Sequence, residues 1–198
     1  GPQIGDMLKK KNIKSNFVEG LRVTDMDTVK IVEEVLSNDI NKKIVNEINI
    51  SGGKAEGFSG NQKNLIEAEK LKIEIKGSDS NIEKILDLGF VGNPIKINIS
   101  IINESIDKGN IPVIAPLGTD KEGNTYNINA DTAAGAIAGA LKANKLLLLT
   151  DVAGILDANK KLIPSLSFEE AKNIIDKEYI LGGMKPKIST CIDAITKG

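Results

Sequence analysis

The stretch 111–150 reads IPVIAPLGTDKEGNTYNINADTAAGAIAGALKANKLLLLT, and its pattern decides the fold class. Ile111–Ala115 is a short apolar run, the mark of a strand buried on both faces. Asp131–Lys142 is rich in alanine and glycine and reads as a helix. Leu146–Thr150 reads as a second buried strand. Strand, helix and strand joined by short connections imply parallel strands and right-handed crossovers. The expected class is therefore α/β, with ligands beyond the carboxyl ends of the strands.

Working outward, Pro2–Lys11 predicts a helix opened by proline in its first turn. Phe17–Val23 predicts a short strand or hairpin arm. Met26–Leu36 and Asp39–Ile48 predict a helical pair ended by Gly52-Gly53, with an apolar stripe through Val29, Ile31, Val32, Val35 and Leu36. Ala55–Ser59, Lys70–Lys76 and Ile95–Ile99 read as strands, with a polar turn at Gly77–Asn81 and a helix over Ile101–Lys108. Phe168–Asp176 is amphipathic and opens on Ser167 with Glu170 three residues later, a capping box. Pro186–Thr196 closes the pattern as a helix.

Composition removes whole classes of chemistry. The 198 residues carry a net charge of −1, which argues against a broad grip on nucleic acid or an anionic membrane. No apolar stretch is long enough to span a membrane, because Lys142 and Lys145 break the longest one. There is no histidine, which excludes Ser-His-Asp and Cys-His nucleophilic systems and any histidine-bound metal. Cys191 is the single cysteine, so neither an internal disulfide nor a zinc cluster can form; a reducing, cytoplasmic setting is expected. Aromatic residues make up 3% and tryptophan is missing, which disfavours base stacking.

What remains is anion chemistry. Of the 26 cationic residues, Arg22 alone is arginine. A planar guanidinium binds a carboxylate or phosphate in a way lysine cannot, although a lone arginine can equally be an ordinary surface residue. Asn127, Asn129 and Asp131 fall where a strand end meets a helix start, and Asp131 suits the N-cap. Thr150-Asp151 followed by the Gly154 turn reads either as a nucleotide mouth or as an Asx turn. Gly182-Gly183 precedes a helix whose first turn holds Lys187. A lysine there opposes the helix dipole unless an anion lies beside it; the alternative is a solvated lysine. Neither a Walker pattern nor GxGxxG occurs. Together these features suit phosphoryl transfer, which needs positioning and charge neutralisation more than covalent chemistry.

Five blocks in order carry a resemblance: Gly1-Pro2-Gln3-Ile4-Gly5, Gly20-Leu21-Arg22-Val23-Thr24-Asp25, Asn127-Ile128-Asn129-Ala130-Asp131, Leu149-Thr150-Asp151-Val152-Ala153-Gly154 and Gly182-Gly183-Met184-Lys185-Pro186-Lys187. They resemble the acetylglutamate kinases of the amino acid kinase family. The resemblance implies a three-layer αβα sandwich with a mainly parallel central sheet. It implies one domain over residues 1–198, truncated at both ends, with a substrate lobe over roughly 1–125 and a nucleotide lobe over 126–198. The family's upstream lysine and histidine lie outside the chain, so the piece as given is expected to be inactive.

The activity implied is ATP-dependent phosphorylation of the side-chain carboxylate of N-acetyl-L-glutamate, in arginine biosynthesis. Gly1, Arg22 and Asn127 would bind the substrate, with Arg22 on its α-carboxylate. Lys187 would neutralise phosphate charge and Asp131 would orient catalytic lysines. Thr150, Asp151, Val152, Ala153, Gly154, Ile155, Leu156, Tyr179, Ile180 and Leu181 would line the nucleotide site. ATP with Mg2+ is the implied cosubstrate, no residue is assigned as a resident metal ligand, and a dimer-based homo-oligomer is implied. A carrier-linked aminoadipate or glutamate acyl kinase and an inactive regulatory module are the alternatives.

Overall fold

The computed structural model describes residues 1–18, 20–76, 83–150, 153–157, 159, 161–176 and 184–198. The chain divides into two compact units, Gly1–Asn129 and Ala130–Gly198.

The first unit opens with α1 (Pro2–Lys10), whose proline falls at the helix start as the sequence predicts. A hairpin follows, β1 (Phe17–Val18) against β2 (Leu21–Arg22). Asp25 then caps α2 (Met26–Glu33) by accepting the Thr28 N–H at 2.8 Å. The two helices expected over residues 26–48 are one run. A π-helical segment (Glu34–Ile40) joins α2 to α3 (Asn41–Ile50) without a break. Ile4, Leu8, Ile31, Val32, Val35 and Leu117 form the core that α1 and α2 share.

β3 (Ala55–Ser59) pairs in parallel with β6 (Ile111–Ala115) over five residues, and α4 (Ile99–Asp107) precedes β6. Buried Asn41 binds this pair to α3 by donating Nδ2 protons to Phe58 O and Val113 O, at 3.2 and 2.8 Å. The remaining strands close on themselves in the order β4 (Ile66–Lys76), β5 (Glu83–Ile97), β8 (Thr125–Ile128) and β7 (Leu117–Thr119). β5 is far longer than the expected Ile95–Ile99. Its ladder with β4 is interrupted: Lys72 pairs with Asp87 and Lys70 with Gly92, so Leu88–Val91 bulge away opposite Leu71.

The second unit contains α5 (Ala130–Leu141), α6 (Phe168–Asp176) and α7 (Met184–Lys197). The capping box is present, with Ser167 N–H donating to Glu170 Oε2 at 2.7 Å and Glu170 N–H donating to Ser167 Oγ at 3.3 Å. Gly135 lets α5 lie close against α7. A Cβ there would meet Thr190 Cγ2 at 2.5 Å.

One expected strand is corrected. Leu146–Thr150 carries no strand ladder, and Leu147 and Leu149 are 78% and 94% exposed. An apolar run becomes a strand only when a neighbouring strand takes its backbone bonds, and this run forms no ladder among the described residues. The α/β class holds, with one extended parallel ladder, β3–β6, among the described residues.

Two stability tests follow from this packing. Asn41→Ala should lower unfolding free energy by about 1–3 kcal/mol, because it removes a donor from two strand carbonyls. An unchanged urea midpoint would show that water replaces the amide at no cost. Gly135→Val should cost about 1–3 kcal/mol by overpacking α5 against α7, read as a lowered melting temperature.

Candidate functional site

In the first unit, the hairpin and the bulge of β5 bring two of the expected substrate residues, Arg22 and Asn127, to the same threonine, Thr24. Arg22 is buried on β2. Its Nη1 donates to Ser15 Oγ, and its guanidinium lies 4.5 Å from the centre of the Phe17 ring. Among the described residues no carboxylate pairs with it. Burial lowers its pKa from the ordinary value, but arginine keeps its charge by a wide margin. Gly1 is exposed at the N-cap of α1.

Asn127 reaches the same place from β8. Its Nδ2 donates to Thr24 Oγ1 at 3.4 Å, and Thr24 Oγ1 donates to Arg22 O at 2.8 Å. Thr24 is completely buried. Its backbone is held on the bulge: Thr24 N–H donates to Leu88 O at 2.9 Å, and Phe90 N–H donates to Thr24 O at 2.6 Å. β8 joins β5 one residue farther on, where Val91 pairs with Asn127. Asp87 secures the bulge. Its Oδ1 accepts the Gly89 N–H at 2.7 Å and its Oδ2 accepts Lys70 Nζ at 2.8 Å. Those donors, Lys70 first and Gly89 next, hold the Asp87 carboxyl below its usual pKa.

In the second unit, Lys187 Nζ lies 2.7 Å from Asp131 Oδ2, with both side chains about a quarter exposed. Asp131 was expected as the N-cap of its helix. The helix begins one residue earlier, so Asp131 lies inside the first turn and its carboxylate points to Lys187. The close approach of α5 and α7 at Gly135 and Thr190 makes that pairing possible. One turn beyond Lys187, the half-buried Cys191 thiol is pushed up in pKa by burial and by Asp131, against an opposing pull from Lys187. It is therefore a poor nucleophile.

Thr150, Gly154, Ile155 and Lys187 line one largely apolar cavity of about 310 Å³, together with Phe168, Met184 and Ile188. Ala153 is exposed beside it, and Leu156 bridges to Leu162. Asp151, Val152, Tyr179, Ile180 and Leu181 lie outside the described residues. Among the described residues no three acidic or cysteine side chains gather as a metal cage, and no helix is long and apolar enough to cross a membrane.

The sequence alone did not single out Ser15, Phe17 or Gly89. Ser15 and Phe17 have no motif. The glycines at 89 and 92 within one strand were the available signal for a bulge.

Comparison with known proteins fits this arrangement. The model of the amino acid kinase family matches residues 1–198. Acetylglutamate kinase of Rhodospirillum centenum is 56% identical over all 198 residues, which span 65% of that protein. The enzyme of the same name from Bradyrhizobium diazoefficiens is 54% identical, and the chain spans 67% of it. The chain thus covers about two thirds of the length of these relatives. Among solved structures, smu.665 of Streptococcus mutans superposes with a TM-score of 0.84 at 30% identity, covering 100% of this chain and 76% of that one. N-acetylglutamate synthase of Neisseria gonorrhoeae, at 23% identity, shares the fold with a TM-score of 0.79, over 98% of this chain and 42% of that one. Matched from its first residue to its last, this chain belongs to the amino acid kinase family.

Proposed function

We propose that the chain is the greater part of an acetylglutamate kinase, which transfers the terminal phosphoryl group of ATP to the side-chain carboxylate of N-acetyl-L-glutamate. The observation that carries the reading is Arg22, a buried guanidinium with no carboxylate partner among the described residues. A buried charge without a counter-ion is costly, so the site calls for an anion. The α-carboxylate of an amino acid supplies one with the bidentate geometry that arginine favours. Relatives of that name at 56% and 54% identity support the choice of substrate.

In this reading the first unit, with Gly1, Arg22 and Asn127, holds the amino-acid substrate. The second unit holds the nucleotide. The apolar cavity beside Thr150, Gly154 and Ile155 suits the base, and Asp151, Val152, Ala153, Leu156, Tyr179, Ile180 and Leu181 complete the nucleotide set. Magnesium arrives with the ATP phosphates as part of the substrate, which agrees with the preference of that ion for phosphate oxygens and water over an all-protein cage.

The reaction needs no general base, because the attacking carboxylate is already ionised at neutral pH. One of its oxygens bonds to the terminal phosphorus, the bond from that phosphorus to the ADP oxygen breaks, and an acyl phosphate forms. The demand on the protein is charge neutralisation and alignment. Lys187 would exchange part of its contact with Asp131 for the phosphate oxygens, and Asp131 would keep the ammonium group aimed. In this reading the enzyme works in the cytoplasm as a homo-oligomer.

ATP-dependent acyl-hydroxamate formation by the full-length protein tests this. A signal with N-acetylglutamate, and none with free glutamate, aspartate or N-acetylaspartate, is expected. No signal from a folded, ATP-binding protein would move the reading to a carrier-linked acyl kinase or a regulatory module. Lys187→Ala should lower kcat by about 10²–10³ with the substrate KM little changed. Arg22→Ala should act mainly on the KM for N-acetylglutamate. Normal kinetics in both variants would remove these roles.

A further inference from the structure

We propose that Thr24, seated on the Leu88–Val91 bulge, is a positioning residue that sets Arg22 and Asn127 as one unit and fixes which face of the Asn127 amide meets substrate. The proposal rests on the reading of Arg22 and Asn127 as ligands of an N-acylated amino acid.

The direction of the protons makes the argument. The partner of the Thr24 hydroxyl at 2.8 Å is Arg22 O, a carbonyl, which only accepts. The single hydroxyl proton is therefore committed there. Thr24 Oγ1 can then only accept from Asn127, so it is Nδ2 of that amide that must face it, at 3.4 Å. Oδ1 is left as the free acceptor of a half-buried side chain, with no partner among the described residues. An acceptor at that place suits the N–H of an acylated amine, while the neighbouring guanidinium takes the carboxylate on the same carbon. One hydroxyl thus couples the two halves of recognition.

The hydroxyl can do this only if its own backbone is fixed, and the bulge supplies that. Thr24 N–H and C=O are both taken by Leu88 and Phe90. Gly89 lies opposite in a parallel bridge with φ +75°. A Cβ at position 89 would run into Thr24 O, so glycine is required both by backbone conformation and by space. The strand carrying Arg22 and the strand carrying Asn127 therefore take their places from four consecutive residues of β5.

The test is steady-state kinetics of the full-length enzyme with N-acetylglutamate and ATP, on Thr24→Val, Thr24→Ser and Gly89→Ala. Thr24→Val keeps the shape and removes the hydroxyl. It should raise the KM for N-acetylglutamate about fivefold, the worth of one neutral hydrogen bond. Its kcat and its KM for ATP should stay close to wild type. Thr24→Ser should restore the wild-type KM, and Gly89→Ala, if it folds, should reproduce the Thr24→Val pattern. Wild-type KM in a folded Thr24→Val protein overturns the proposal, as does a matching loss of kcat and melting temperature in both Thr24 variants. Arg22→Ala and Asn127→Ala separate the two layers. If they raise the KM and Thr24→Val does not, the positioning role alone fails. If neither raises it, the substrate-site reading fails and the proposal with it.

Discussion

The backbone of Thr24 bonded to Leu88 and Phe90 is the constraint on which the first unit's site depends. A regular β4–β5 ladder would have consumed those backbone groups. The bulge frees them, and they hold a segment from another part of the chain instead. Arg22 gains its position from this arrangement and from Phe17 and Ser15 on the same hairpin. The guanidinium is buried against a ring face and a hydroxyl, with no acid beside it among the described residues, and it is on this observation that the proposed substrate site rests.

The second unit applies the same logic with a different element. Lys187 lies in the first turn of α7, where the helix dipole disfavours it. Asp131 offsets that penalty at 2.7 Å. The pair is partly exposed, so it adds little to stability. Its effect is geometric, since it fixes the direction of an ammonium group that stays partly exposed. The helix packing at Gly135 and Thr190 is the condition for the pair, so a residue with no chemistry of its own decides where the charge lies.

Much of this was legible in advance. Pro2 and the Ser167–Glu170 box marked helix starts that are present, while the scarcity of arginine singled out a residue that is buried, Arg22, and the dipole conflict one that is paired with Asp131, Lys187. Other elements were misjudged for identifiable reasons. A strand was expected only over Ile95–Ile99, whereas β5 runs back to Glu83 through Gly89, Gly92 and Pro94, with one bulge at Leu88–Val91 and a second register shift between the pairs of Pro94 and Lys96. Leu146–Thr150 has every local property of a buried strand but forms no ladder among the described residues, because strand character belongs to a pair of segments. The helical stretch 26–50 bridges an expected gap through a π-helical segment, a hydrogen-bond register that composition does not announce.

By itself the sequence determined which side chains these 198 residues can offer. With no histidine, one cysteine and one arginine among them, anion binding by Arg22, Lys187 and the residues at strand and helix ends was the expectation. Residue type limits what a group can donate, accept or carry, and that limit is independent of the fold. Only the tertiary structure decided which groups act together. Thr24 lies 65 residues before Gly89, and Asn127 lies 38 residues after it, and no local pattern links them. Their bonds depend on backbone donors and acceptors that become available only where two distant segments meet a bulged strand, and that choice is made by packing.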